Sequence, residues 1–210
     1  MEHRGLTVWF TGLPGSGKST VANLVADKLK AKGFKVERLD GDIVRKGLTR
    51  DLGFSKEDRN KNIERVTFVA KLLSRNGVIV LSSFVSPYRV ARENARQQIH
   101  SFCEVYVKCS LEECIRRDVK GMYKKAIAGE IKEFTGISDP YQEPDQPELI
   151  VETDKQTPAE SAKRVLSFLE QKDLVGHQDG AQAQVEAQAP ACTEEEKEQV
   201  IKRLKSLGYL

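Results

Sequence analysis

The chain has little of what would tie it to a membrane, a nucleic acid or a metal cage. No apolar run approaches the roughly 18 residues that a spanning helix needs. The opening MEHRGLTVWFTG passes almost at once into a strand-like run, with no secretory apolar segment ahead of it. Lysine and arginine number 34 against 31 aspartates and glutamates. That surplus is too slight for a nucleic-acid or anionic-membrane surface, so any anionic partner has to be recognised locally, and neither a nucleic acid nor a membrane is expected as a partner. The four cysteines, Cys103, Cys109, Cys114 and Cys192, form no CxxC and stand at no histidine spacing that would ligate a metal. They read as core or incidental thiols of a cytoplasmic protein.

What is present is an alternation. Strand-like runs at LTVWF (6–10), KVERLD (35–40), GVIVLSS (77–83), EVYVKC (104–109) and ELIVET (148–153) are separated by helical patterns. Such an order predicts an α/β fold with a mostly parallel sheet of about five strands and helices on both faces. Residues 19–32 carry an apolar stripe that runs to Gly33, and residues 55–76 carry another, with Ser55 as N-cap and Gly77 as stop. Thr157-Pro158-Ala159-Glu160 is a capping box ahead of a last helix, which closes a first domain near residue 175. Residues 176–192, rich in alanine and glutamine, read as a disordered linker, and residues 193–210 as a short amphipathic helix.

The chemistry starts at FTGLPGSGKST. Gly12, Leu13, Pro14, Gly15, Ser16, Gly17, Lys18 and Ser19 fill the GxxxxGK[ST] pattern between a strand and a helix. In that setting backbone N–H groups and a helix N-terminus converge on phosphate oxygens, Lys18 reaches the outer phosphates and Ser19 can ligate Mg²⁺. With Thr20, this segment is the expected ATP site. Asp40 and Asp42 fall just past the carboxyl end of the second strand, where ligands sit in open parallel sheets. Such a pair can help hold hydrated Mg²⁺ and take a proton from an attacking hydroxyl; Asp-Gly as a turn with a helix cap is an equal reading of the same residues. Arg45 lies one turn beyond Asp42, while Arg59 and Asn62 share one face of the long helix at i, i+3 spacing. That face suits an anionic ligand, and read alone it also suits plain solvent.

In order and spacing, the phosphate loop, DGDIVRKGLTRDLGFSKEDRNKNIERV, SSFVSPYR and VYVKCSLEECIRRDVKGMYKKAIAGEIKEFTGISDPY resemble adenylylsulfate kinases, over about residues 4–172. The resemblance implies a P-loop NTPase fold and transfer of the γ-phosphoryl group of MgATP to the ribose 3′-hydroxyl of adenosine 5′-phosphosulfate. It implies that Asp40, with Ser19, organises Mg²⁺ and that Asp42 contacts or deprotonates the hydroxyl. Arg45, Arg59 and Asn62 would bind the phosphosulfate nucleotide, Phe54 and Phe134 would sandwich its adenine, Val85 and Ser86 would line the site, and Lys124 would reach in from a lid. It further implies a homodimer. The chain departs from the family's more frequent residues at Ile43, Lys46, Thr49, Val119 and Glu133, the last replacing a glycine. Among alternative readings, a small-molecule kinase of the gluconate or shikimate type needs no aromatic clamp, and a non-catalytic regulatory module needs no intact Lys18, Ser19, Asp40 and Asp42.

Two further expectations are structural. Residues 116–137, dense in arginine and lysine, read as a basic lid that closes over the phosphates and excludes water. Ser86, a residue that family descriptions give as a phosphoserine intermediate, precedes Pro87 and reads as the cap of a helix beginning at Tyr88, with direct transfer of the phosphoryl group as the expected route.

Overall fold

In the computed structural model of the protein the described residues are 5–175; the expected linker and C-terminal helix lie outside them. Five parallel strands, β1 (Leu6–Thr11), β2 (Val36–Asp40), β3 (Ile79–Ser83), β4 (Phe102–Lys108) and β5 (Leu149–Glu152), form one sheet in the order β2-β3-β1-β4-β5. All five fall within two residues of the runs read from the sequence.

β1 is central and buried on both faces, so Leu6, Val8 and Phe10 on one face and Thr7, Trp9 and Thr11 on the other are all removed from solvent. Alternate side chains of such a strand serve opposite layers. Leu6, Val8 and Phe10 pack with Val21, Val25 and Leu29 of α1 (Lys18–Ala31) and with Val165 and Leu169 of α7 (Pro158–Gln171). Trp9 points the other way, into Ile63 and Val66 of α3 (Lys56–Arg75) and Ala95 of α4 (Arg89–Gln98). The buried thiols Cys103, Cys109 and Cys114 are all unpaired, as expected of core cysteines.

Local signals end the helices where the sequence placed them. The Ser55 hydroxyl accepts from the Asp58 N–H at 3.1 Å, capping α3. At α7 the box is complete: the Glu160 N–H donates to Thr157 Oγ1 and the Thr157 N–H to the Glu160 carboxylate. A one-turn α2 (Gly41–Val44) follows β2, and α5 (Leu111–Arg117) and α6 (Met122–Ile127) follow β4. Strand order reverses between β3 and β1, so the loops after β1, β2 and β3 open into one crevice at the carboxyl edge of the sheet.

Candidate active site

The loop after β1 has little freedom in its residue types. At Gly12 a Cβ would lie 2.4 Å from the Val107 carbonyl oxygen, and Gly17 takes φ 90° at the head of α1, a left-handed conformation that favours glycine. No side chain caps α1, which leaves its first N–H groups for a ligand. Lys18 is buried and bends back on its own loop, donating to the carbonyls of Gly12 at 2.9 Å and Leu13 at 2.7 Å. Burial pulls its ammonium down to a pKa of about 8, and Asp40 and Asp42 restore only part of the difference.

One turn on, Ser19 Oγ donates to Asp40 Oδ2 at 2.6 Å. Asp40 is buried, and its other oxygen accepts the Asp42 N–H at 3.0 Å, so it also caps α2. The cap reading of the Asp-Gly-Asp segment therefore holds for Asp40, whose second oxygen faces Ser19 of the phosphate loop. Asp42 is exposed and ion-paired with Lys120, which reaches over from the stretch between α5 and α6.

These groups line one end of a cavity of about 840 Å³ whose other end is walled by Arg45, Phe54, Arg59, Asn62, Val85 and Phe134. Phe54 is 54% exposed, with the Arg45 guanidinium 4.3 Å and that of Arg59 5.7 Å from its ring centroid. Arg45 donates to the carbonyls of Leu52 and Gly53, and burial together with the neighbouring Arg59 lowers its pKa. Phe134 is only 7% exposed and packs edge-on to Tyr123 at 5.0 Å, so it is both cavity wall and core. Asn62 Oδ1 and Thr135 Oγ1 are buried at this cavity with no partner among the described residues, as expected of groups that a ligand satisfies.

Residues 116–137 lie across the phosphate loop, tethered by polar contacts. Tyr123 donates to the Pro14 carbonyl at 2.9 Å, Arg117 to that of Gly15 at 3.4 Å, and Arg59 of α3 donates to the Glu133 carbonyl at 2.5 Å. Glu133 adopts φ 53°, the left-handed region, which accounts for the glycine more frequent in the proteins it resembles.

A model of the adenylylsulphate kinase family matches residues 4–152. The adenylyl-sulfate kinase of Halothermothrix orenii is 60% identical over 174 residues, 83% of this chain and 94% of that one. The adenylyl-sulfate kinase of a Picosynechococcus species is 59% identical over 169 residues, 80% of this chain and 96% of its own length. The chain belongs to the adenylylsulfate kinase family. Among solved structures, the APS kinase of Mycobacterium tuberculosis in complex with AMPPNP and APS is similar at a TM-score of 0.76 and 48% identity, over 79% of this chain and 98% of that one.

Two expectations are not met: Lys124 reaching into the site, implied by the resemblance, and Ser86 as a helix cap, read from Ser86-Pro87. Lys124 does not line the cavity. α6 buries Tyr123 and Ala126, which turns Lys124 outward, and Lys120 and Lys132 line the cavity instead. Ser86 is no helix cap: α4 starts at Arg89 and Tyr88, its N-cap, makes no side-chain cap bond. Ser86 is buried at φ 40°, accepting from Trp9 Nε1 at 3.1 Å and donating to Thr11 Oγ1 at 3.1 Å. Gly12, Leu13 and Ser16 shape the loop without lining the cavity, whereas Pro14, Gly15, Gly17, Lys18, Ser19 and Thr20 line it. Arg117, Lys120, Lys132 and Thr135 reach the site without having been singled out individually. The Glu113–Arg117 pair at i, i+4 was visible in the sequence, but as a surface pair.

Proposed function

We propose that the protein transfers the γ-phosphoryl group of ATP to the 3′-hydroxyl of adenosine 5′-phosphosulfate. The observation that carries this reading is the single cavity that joins the phosphate loop, through Asp42, to a wall bearing two guanidiniums and an exposed aromatic ring. Guanidiniums suit a phosphosulfate and the ring suits a purine. Membership of the adenylylsulfate kinase family and the likeness to an APS kinase solved with AMPPNP and APS support the same pairing of substrates.

In this reading Lys18 leaves the Gly12 and Leu13 carbonyls for the outer phosphates, and the free N–H groups at the head of α1 hold the phosphate chain. Asp42 accepts the proton of the 3′-hydroxyl, whose oxygen attacks the γ-phosphorus as the bond to the β-phosphate oxygen breaks. ADP departs with that electron pair. Lys120, Arg117 and the segment above them exclude water. Ser19 and Asp40 offer one hydroxyl and one carboxylate at 2.6 Å, and no group of three or more acidic, histidine or cysteine side chains among the described residues forms a metal cage. Such a pair fits Mg²⁺ held largely by phosphate and water, which when bound would neutralise charge on the phosphoryl oxygens.

Ser86 has Trp9, Thr11 and the Phe84 carbonyl as its hydroxyl partners, and no general base among them. This supports direct transfer. The chain would act in the cytoplasm as a homodimer, which light scattering tests. The decisive assay for the activity is ADP release with adenosine 5′-phosphosulfate, AMP, gluconate and shikimate as rival acceptors, with product identified by mass. Turnover with gluconate or shikimate and none with adenosine 5′-phosphosulfate refutes the assignment.

A further inference from the structure

α4 carries an arginine whose guanidinium is spent entirely inside the protein. Arg92 is 2% exposed. Its Nε donates to Glu104 Oε1 at 2.8 Å, Nη1 to the Ser86 carbonyl at 2.6 Å and Nη2 to the Gln142 carbonyl at 2.7 Å. The guanidinium also stands 5.8 Å from the centroid of the Tyr141 ring. Burying a charge is expensive unless it is paired, and Glu104 supplies the pair. The pair alone, however, needs only one arm of the fork.

The other two arms reach two different segments of the site. Ser86 follows β3 and lines the cavity beside Val85 and Pro87, while Gln142 belongs to the stretch that leaves Phe134 and Thr135 on the way to β5. Contacts around the guanidinium tie the same two segments: the Gln142 N–H donates to the Pro87 carbonyl at 2.9 Å, and Tyr141 Oη shares a hydrogen bond of 2.9 Å with Thr11 Oγ1 at the end of β1. Ser86 itself sits at φ 40°, a conformation that a serine keeps only when its surroundings over-determine it. Trp9 and Thr11 hold its hydroxyl and Arg92 holds its carbonyl. A planar fork with fixed donors can span both carbonyls and a carboxylate at once; an ammonium cannot hold the same three in that plane.

We propose that Arg92 is a positioning residue for the acceptor side of the site: by clamping the carbonyls of Ser86 and Gln142 it fixes the wall against which adenosine 5′-phosphosulfate lies, without touching either substrate. This rests on the reading of that wall as the acceptor site. It separates the two substrates, because the donor's phosphate loop is built from β1 and α1 and makes no direct hydrogen bond to Arg92.

The test uses the full chain with Arg92→Lys, which keeps the charge opposite Glu104, and with Arg92→Gln combined with Glu104→Gln, which removes both charges of the buried pair together. The expected result is a folded protein whose affinity for AMPPNP stays within about twofold of the native value, while KM for adenosine 5′-phosphosulfate rises by about tenfold or more, the size expected when a charge-assisted hydrogen bond is lost. A second readout needs no turnover. Trp9 is the sole tryptophan of the sequence, so its indole N–H gives one side-chain signal in a ¹⁵N-labelled sample, and that signal reports the bond to Ser86. It should move in Arg92→Lys. An unmoved indole signal, equal losses of affinity for both substrates, or failure of both variants to fold makes Arg92 a core residue only and overturns the proposal. A native chain that never turns over adenosine 5′-phosphosulfate refutes the acceptor assignment instead, and the indole signal still decides whether Arg92 holds Ser86.

Discussion

Replacing Lys18 with methionine is expected to move stability and activity in opposite directions. The ammonium is buried, and burial lowers its pKa from 10.5 to about 8. At about 1.4 kcal/mol per pH unit, keeping that charge inside costs the native fold about 3 kcal/mol below pH 8. The folded pKa is the lower one, so the folded protein sheds this proton first; between pH 8 and 10.5 the unfolded chain binds more protons and stability rises with pH. Methionine of similar length removes the charge but leaves the Gly12 and Leu13 carbonyls without their donor, a loss of about 1–3 kcal/mol. Lys18→Met should therefore be at least as stable as the native chain in urea at pH 7, and the rise in native stability towards pH 9.5 should be absent from it. ADP production should fall by a hundred- to thousandfold, roughly the effect of deleting one fixed charge-stabilising donor. A variant less stable by about 2 kcal/mol at pH 7, with the native pH dependence retained, would show that the ammonium is a net cross-link and refute the reasoning. Near-normal turnover would sink the phosphate-loop assignment itself.

Other consequences are open to simple measurement. Asp42→Asn should lower kcat far more than it raises KM for the acceptor, because a proton acceptor acts in the transition state; a pure KM effect would make Asp42 a binding residue. Ser86→Ala should cost about 1–3 kcal/mol in urea unfolding by stranding the buried Trp9 N–H, while substantial turnover remains; unchanged stability would contradict the hydrogen bond. Inversion at a chiral γ-phosphorus is expected for the native enzyme, and net retention would favour a phosphoserine. Glu133→Gly should raise the urea midpoint by an amount equivalent to about 1 kcal/mol by relieving the left-handed conformation, and a lower midpoint would mean that the glutamate side chain makes compensating contacts.

What could be read from the sequence was what neighbours in the chain decide. Apolar runs and the glycines between strand and helix gave all five strands and the phosphate loop, because β1 is buried on both faces and its loop admits few residue types. Ser55 and Thr157 were legible as caps because a cap closes within three residues. Ser86 before Pro87 looks the same locally, yet its conformation is set by Trp9, 77 residues away, and by Arg92. Lys124 and Lys120 could not be ranked because the phase of α6, a helix of 6 residues, is fixed by Tyr123 lying on Phe134 and the Pro14 carbonyl. Arg92 gave no signal at all: RVARENARQQ reads as a solvated helix, and only the tertiary fold shows that one of its arginines is buried.

The tethers between the lid segment and the phosphate loop end on main-chain oxygens, those of Pro14 and Gly15. A carbonyl is the one group that a point mutation leaves in place, so these contacts can be lost by changing Tyr123 or Arg117 but hardly by changing the side chains at the other end. The two hydrogen bonds can thus be removed from the segment 116–137 but hardly from the loop, whose Leu13 side chain meets the same segment through apolar packing instead. Under the proposed lid role, changes at Tyr123 or Arg117 should loosen the segment while the Lys18 contacts to the Gly12 and Leu13 carbonyls stay in place.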